Sequence, residues 1–340
     1  MTGPGTKTGA PLLSVVICTR NRADLLGRML ESLCGQTLDR AAYEVVVVDD
    51  GSEDRTREVA RGFEGRLPVR YSYQRNAGLA SARNHGVFLS RGELLLFLDD
   101  DDVADAALLE AHVQAHRRHG KASVGILGRT SLEPSLASDP LMHFATEVGC
   151  FLFAYPGLKP GAVLDFRHFW GGRSSCKRSF LIDHGVFNPV FRFGCEDVEL
   201  AYRLSRYRFQ VIYEPRALLT MVRRFEFGDF CRRLWRQGQS NLVFSRLHPT
   251  PEVLAWTEVR EAERGWSRFG PAYDLVLRSA ERLDRMARMQ RDAGLEVGPE
   301  QTGLLYRAYW AAFRASQYKG IVEKAQELAG TTGRDATATP

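Results

Sequence analysis

The chain has 340 residues, enough for a full α/β core with a further segment attached. A hydrophobic share of 44% and a charged share of 26% exclude a fibrous, collagen-like or wholly disordered chain. The formal net charge of +5 suits anionic ligands, but the arginines are scattered rather than gathered into a stripe, which argues against nucleic acid as the partner.

Residues 1–11 are Gly/Thr-rich, lack the apolar centre of a signal peptide, and read as a flexible tail. Leu12 to Ile17 is a short, β-branched apolar run, the pattern of a strand buried on both faces, and it ends in Cys18-Thr19-Arg20-Asn21. Leu25, Leu26, Met29, Leu30 and Leu33 then recur at helical spacing. Tyr43 to Val48 is a second buried strand, stopped by Asp49-Asp50-Gly51-Ser52 and followed by helix signals through Arg61. Val69 to Tyr73 is a third strand and Ala80 to Leu89 a helix. Glu93 to Leu98 is a fourth strand, ending in Asp99-Asp100-Asp101-Asp102. This alternation implies a parallel sheet with right-handed crossovers, and its polar strand ends fall where open α/β sheets bind ligands.

From about residue 122 to 220 short strands, Gly/Pro loops and aromatics mix. After His248 the pattern is helical, with Val276, Ala280, Leu283 and Ala287 on one face, and Leu305, Tyr309, Ala312 and Phe313 on another. Residues 330–340 read as a second tail. No apolar run is long enough to span a bilayer, so a cytoplasmic protein is expected. Cys18, Cys34, Cys150, Cys176, Cys195 and Cys231 form no C-x-x-C pair and are expected as reduced thiols.

Four adjacent carboxylates at a strand end repel one another unless cations compensate, and oxygen-only ligands suit Mg²⁺ or Mn²⁺. Such a run serves equally well as the cap of the next helix. Asp49-Asp50-Gly51-Ser52, read alone, is a turn with an N-cap, or else a carboxylate that meets a base or ribose. Thr19 to Arg22, and Asn76 to Asn84 with Gly78, sit at strand-to-helix junctions suited to phosphate. His112, His116 and His119 have the spacing of a zinc site, yet no carboxylate or cysteine completes it, and a solvated helix face is expected. Phe166 to Trp170 offers either a sugar platform or core packing. The segment Asp229 to Phe244, with Arg232, Arg233, Trp235 and Arg236, reads as a solvated basic helix face or a peripheral membrane contact.

Taken together, Ser14 to Arg22, Val45 to Ser52, Asn76 to Gly86, Phe97 to Asp102, Gly171-Gly172 and Gly194 to Leu204 resemble the large inverting glycosyltransferase family 2, over roughly two-thirds of the chain. The resemblance implies the GT-A fold. We expect a GT-A domain over residues 12–245, its nucleotide-binding half 12–121 and acceptor half 122–245, and a helical appendage over 246–329. It implies that Thr19, Asn21 and Asp50 line the nucleoside pocket and that Asn76, Gly78 and Arg83 border it and the diphosphate. Asp99 and Asp101 become the D-x-D pair holding Mn²⁺ or Mg²⁺, with Asp101 the direct ligand and Asp102 able to share it. Gly171 and Gly172 line the transferred sugar, and Asp197 is the general base. The family's aromatic residue after Thr19 is Arg20 here. The metal-assisting His beyond Pro215 is absent, since the count lands on Thr220 and Met221. The implied reaction is transfer of one sugar from a nucleotide-diphosphate donor, a UDP-sugar, to an acceptor that is a glycan, lipid-linked sugar, peptide or small natural product; a homodimer is one possible assembly. Two other readings are a silent sugar-nucleotide-binding scaffold and a nucleotidylyltransferase; the second lacks its glycine-rich loop after the first strand.

Overall fold

A computed structural model describes residues 9–335. In chain order the elements begin β1 (Leu13–Thr19), α1 (Ala23–Cys34), β2 (Tyr43–Asp49), α2 (Thr56–Gly62), β3 (Val69–Tyr73), α3 (Leu79–Leu89), β4 (Leu94–Asp99), β5 (Asp102–Ala104), α4 (Leu108–Arg118) and β6 (Val124–Leu132). Two short helices, α5 (Pro134–Ala137) and α6 (Pro140–His143), come next. They are followed by β7 (Val163–Leu164), β8 (Ser174–Lys177), α7 (Arg178–His184), α8 (Glu196–Ser205) and β9 (Gln210–Met221). Five helices complete the chain: α9 (Phe227–Leu247), α10 (Pro251–Thr257), α11 (Val259–Phe269), α12 (Tyr273–Asp292) and α13 (Pro299–Asp335).

Two compact units result. The first takes residues up to 133, 157–192 and 196–223; the second takes 134–156, 193–195 and the chain from 224. The division is therefore not a single cut at residue 245, because residues 134–156 leave the α/β unit for the helical one.

The first unit is built on one nine-stranded sheet in the order β3-β2-β1-β4-β8-β6-β9-β5, with β7 beside β9. Strands β1 to β4 are mutually parallel, as the alternating pattern predicts. Beyond them β8 is inserted antiparallel between β4 and β6. The sheet is sandwiched because its strands are apolar on both faces. Val15, Ile17, Val45, Val47, Leu96 and Leu98 pack with Leu26, Met29, Leu30 and Leu33 of α1, whereas Val46 and Val48 pack with Ala82 of α3. Each fully buried leucine of this kind contributes roughly 1.5–3 kcal/mol of transfer free energy.

The second unit is helical. Its centre is aromatic: Phe313 lies 4.8 Å from Phe230 and 5.6 Å from Tyr309 between ring centroids. A buried ion cluster joins α6, α12 and the start of α9. Asp139 is fully buried, receives Arg288 at 2.8 Å, Arg224 at 3.1 Å and Arg291 at 3.2 Å, and accepts the amide N–H groups of Leu141 and Met142. Burial of that carboxylate is tolerated because three guanidiniums and two amides satisfy it.

Two expectations are corrected and a third is refined. Helix α13 runs to Asp335, so the segment from 330 begins as helix; residues 1–8 and 336–340 of the expected tails lie outside the described residues. His112 and His116 are buried, and both bond to the Ser175 hydroxyl, at 2.8 and 2.9 Å. They belong to the core rather than a solvated face, because α4 turns that side toward β8. Desolvation lowers their pKa values to about 3 and about 4. Helix α9 keeps the expected basic face in part: Arg232 and Arg236 are exposed, whereas Trp235 Nε1 donates to Glu323 of α13 at 2.7 Å, and Phe230, Cys231 and Leu234 are buried.

Candidate active site

The register of the parallel strands levels their carboxyl ends. Thr19 pairs with Asp49 and Cys18 with Asp99, so the segments after β1, β2 and β4 emerge on one edge. Burial pushes the Cys18 thiol up to about 12, opposed by the nearby Arg83 and reinforced by Asp99, Asp50 and Asp100. The end of β1 is thus the point at which both halves of the site meet.

The first half is a hydrogen-bonded set of loops. Asn21 has φ of 53°, accepts Glu53 N–H at 2.8 Å, and donates its own N–H to Ser52 Oγ at 2.8 Å. Asp50 Oδ1 accepts from Gln74 Nε2 and Ala77 N–H, both at 2.8 Å; its Oδ2 accepts from Asn76 Nδ2 at 2.9 Å and Gly78 N–H at 3.0 Å. The carboxylate of Asp50 therefore shapes the loop that leads into α3. Gly78 is required there, with φ of 93° and Arg192 Cα only 2.8 Å from where a Cβ would sit. Thr19 is buried at the end of β1.

The second half is a cluster of acids and arginines. Asp99 receives Arg173 at 2.9 Å and Arg83 at 3.6 Å. Asp100 receives Arg22 at 2.6 Å, and Asp101 receives Arg223 at 3.2 Å and Arg22 at 3.4 Å. Asp102 lies 3.7 Å from Arg173. Arg83 is buried and reaches Glu196 at 2.6 Å, which ties the start of α8 to the end of β4. Beside it, Asp197 Oδ2 accepts Gly171 N–H and Oδ1 accepts Val198 N–H, both at 2.8 Å. Gly171 and Gly172 press against Arg83 and the Asp99 carboxylate so closely that a Cβ at either position would overlap them.

The electrostatics follow from burial. Desolvation raises Asp100 to about 6 against the attraction of Arg22, with Asp101 adding to the rise. Desolvation holds Asp102 far above the usual carboxylate range despite Arg173. Glu196 is raised to about 7 by burial and then by Asp197, opposed by Arg83. Asp99 to Asp102, Glu196 and Asp197 face four guanidiniums, so the cluster is two negative charges in excess when fully ionised. The donors are hard carboxylate oxygens, and Asp100 Oδ2 and both oxygens of Asp102 are buried without a hydrogen-bond donor. Those features fit a divalent cation. Among the described residues no three His, Cys, Asp or Glu groups converge as a complete cage, so such an ion needs oxygens from a ligand as well.

Every site residue expected from the sequence thus falls in one of two adjoining groups on the same sheet edge. Sequence reasoning gives Arg173 and Arg223 no role, sets Arg22 only within a segment suited to phosphate, and has Glu196 only as the neighbour of Asp197. Arg173 directly follows the glycine pair and Arg223 follows the end of β9, yet their partners lie 74 and 122 positions away. The aromatic segment divides: Phe169 is buried against Phe209, while Trp170 is half-buried beside Gly171, its Nε1 donating to Arg167 O at 2.8 Å.

Comparison with known proteins finds glycosyltransferases. A family model described as glycosyl transferase family 2 matches residues 14–174. Validoxylamine A glucosyltransferase of Streptomyces hygroscopicus subsp. jinggangensis is 46% identical over 127 residues, 37% of this chain and 30% of that protein. Chondroitin synthase of Escherichia coli is 35% identical over 223 residues, 57% of this chain and 32% of that protein. The chain thus spans about a third of the length of these relatives. Among solved structures, a mannosyltransferase from Pyrobaculum calidifontis in complex with GDP-Man and Mn²⁺ superposes with a TM-score of 0.60 at 18% identity, covering 94% of this chain and 88% of that one. TarS 1–349 of S. aureus in complex with UDP gives 0.52 at 17% identity, over 92% and 91%. With its strand-end motifs, glycine pair and acid pair on one sheet edge, the chain matches the glycosyl transferase family 2 model over residues 14–174.

Proposed function

We propose that the protein is an inverting, metal-dependent glycosyltransferase that moves a single sugar from a UDP-sugar to an acceptor hydroxyl. One arrangement carries the reading. Asp197 stands beside the acid–arginine cluster, joined to it through Gly171 N–H on one side and through Glu196–Arg83–Asp99 on the other. A base and an anion-compensating cluster at one sheet edge are what an in-line displacement of a nucleoside diphosphate needs.

In this reading Asp197 takes the proton of the acceptor hydroxyl as its oxygen bonds to the anomeric carbon. The bond from that carbon to the diphosphate breaks on the opposite face, and the nucleoside diphosphate leaves with the electron pair. Gly171 N–H on Oδ2 and Val198 N–H on Oδ1 orient Asp197, and each carboxylate oxygen keeps a second acceptor site for the hydroxyl. Asp101 and Asp99 would hold Mn²⁺ or Mg²⁺, which would supply positive charge against the negative charge of the leaving diphosphate. Arg22, paired with Asp100 and Asp101, and Arg223, paired with Asp101, supply guanidiniums at the same edge for the diphosphate. The Asn21–Asp50–Gly78 loops frame the nucleoside. A uracil base is supported by the family resemblance and by a structural neighbour that holds UDP.

The test is transfer by Asp197→Asn. Loss of transfer of at least about a hundredfold with donor binding kept is expected for a general base. Donor binding that collapses together with transfer would show that Asp197 serves the nucleotide instead.

A further inference from the structure

Helix α12 turns its two sides to different environments. Ala280, Asp284, Ala287 and Arg288 are buried, with Asp284 bound to Arg288 at 2.9 Å and to the Tyr309 hydroxyl. That side is fixed in the helical unit. The other side carries Leu275, Arg278, Arg282, Arg285, Met286 and Met289. At 3.6 residues per turn these six fall within one arc of about 100°, over about 21 Å of helix. Leu275, Met286 and Met289 are 62%, 57% and 71% exposed. The three arginines are exposed too, and among the described residues none of them is in an ion pair. Asp274, Glu281 and Asp292 lie outside the arc.

A single exposed leucine is ordinary. Three large, flexible apolar side chains interleaved with three guanidiniums that form no ion pair among the described residues are not, since water rewards only half of that pattern. A second copy of the same face would set arginine against arginine. A nucleic acid would meet the charges but find no aromatic ring in the arc to stack on. An anionic bilayer satisfies both components, with guanidiniums at the level of the phosphates and the Met and Leu side chains among the upper acyl carbons. We propose that the outer face of α12 docks on the surface of an anionic lipid bilayer, with the helix lying in the interface plane. Among the described residues no helix is long and apolar enough to cross a membrane, and the contact needs none.

The experiment is co-sedimentation of the whole protein with vesicles of phosphatidylcholine, with and without phosphatidylglycerol, at low and high salt. Binding to the anionic vesicles alone, reversed by salt, is expected. Each arginine near such a surface is worth about fivefold in partitioning, so Arg278→Gln with Arg282→Gln and Arg285→Gln should weaken binding about a hundredfold. Leu275→Ser with Met286→Ser and Met289→Ser should weaken it at least about tenfold. All six positions are exposed, so both variants keep the wild-type melting profile. Three results would overturn the proposal. One is no sedimentation beyond that with phosphatidylcholine alone. Another is loss of binding with the arginine variant only, which marks an acidic macromolecule rather than a bilayer. The third is a concentration-dependent dimer that either variant abolishes, which marks a second copy.

Discussion

Arg83→Gln separates the structural role of the buried ion pair from its surroundings. Arg83 and Glu196 are 5% and 4% exposed and 2.6 Å apart. Removing one partner of such a pair costs about 3–5 kcal/mol, since the other is left buried and unpaired. Glu196 has an escape, which is to take a proton. Burial and Asp197 already raise it to about 7 in the intact protein, and loss of Arg83 raises it further. A carboxyl whose folded pKa exceeds its unfolded value stabilises the fold at low pH and loses that contribution as pH rises through the folded pKa. In the wild type that loss is complete near pH 7; in the variant it continues above it. The stability gap between the two should therefore stay constant below about pH 7 and widen above it by about 1.4 kcal/mol per pH unit. Urea midpoints taken from about pH 6 to about pH 9 measure the gap. Adding Glu196→Gln should remove the pH dependence while leaving a smaller constant deficit. A gap that ignores pH, or a double variant as pH-dependent as the single one, would refute the reasoning.

Further expectations concern the histidines, the glycine pair and the core. His112 and His116 are held neutral at about 3 and about 4, against about 6.5 when unfolded, so the unfolded chain binds protons that the native one excludes. Stability should fall as pH drops from about 6.5 to about 5, by roughly 2–4 kcal/mol for the pair, and His116→Gln should show a shallower fall in denaturant midpoints. An unchanged slope would mean that water reaches the imidazoles. Gly172→Ala places a methyl against the Asp99 carboxylate and should cut transfer at least about tenfold, with the fold kept by circular dichroism; wild-type turnover would show that the loop yields freely. Leu26→Ala in α1 should cost about 2–5 kcal/mol in thermal or urea unfolding.

Much of the first unit is legible in the residues themselves. Strands β1, β2 and β4 are apolar on both faces because helices cover both, and their polar ends mark the ligand edge without any structure. The antiparallel insertion of β8 was not legible, since Ser174 to Lys177 has neither the length nor the apolarity of a core strand. His112 and His116 were misread because their polarity was weighed above their phase. Both share an arc with Leu108 and Leu109, which is the buried side of α4. The site divides in the same way. The aspartates and glycines stand in local motifs, whereas Arg173 and Arg223 acquire meaning only when the fold brings them to the acids, and Arg22 gains its acid partners there. The outer face of α12 was hidden for a related reason, as only the buried partners of its inner side reveal which residues are left outside.

The central claim is that the acid–arginine edge binds a nucleoside diphosphate together with a divalent cation. Calorimetric titration of UDP into the protein, with Mn²⁺ and then with EDTA, tests it most directly, with GDP and dTDP as controls. The account predicts binding of UDP that is strong with Mn²⁺, weakened at least about tenfold by EDTA, and lost with Asp101→Ala. Binding of UDP that is equally tight in EDTA, or no binding of any of the three nucleotides, would contradict it.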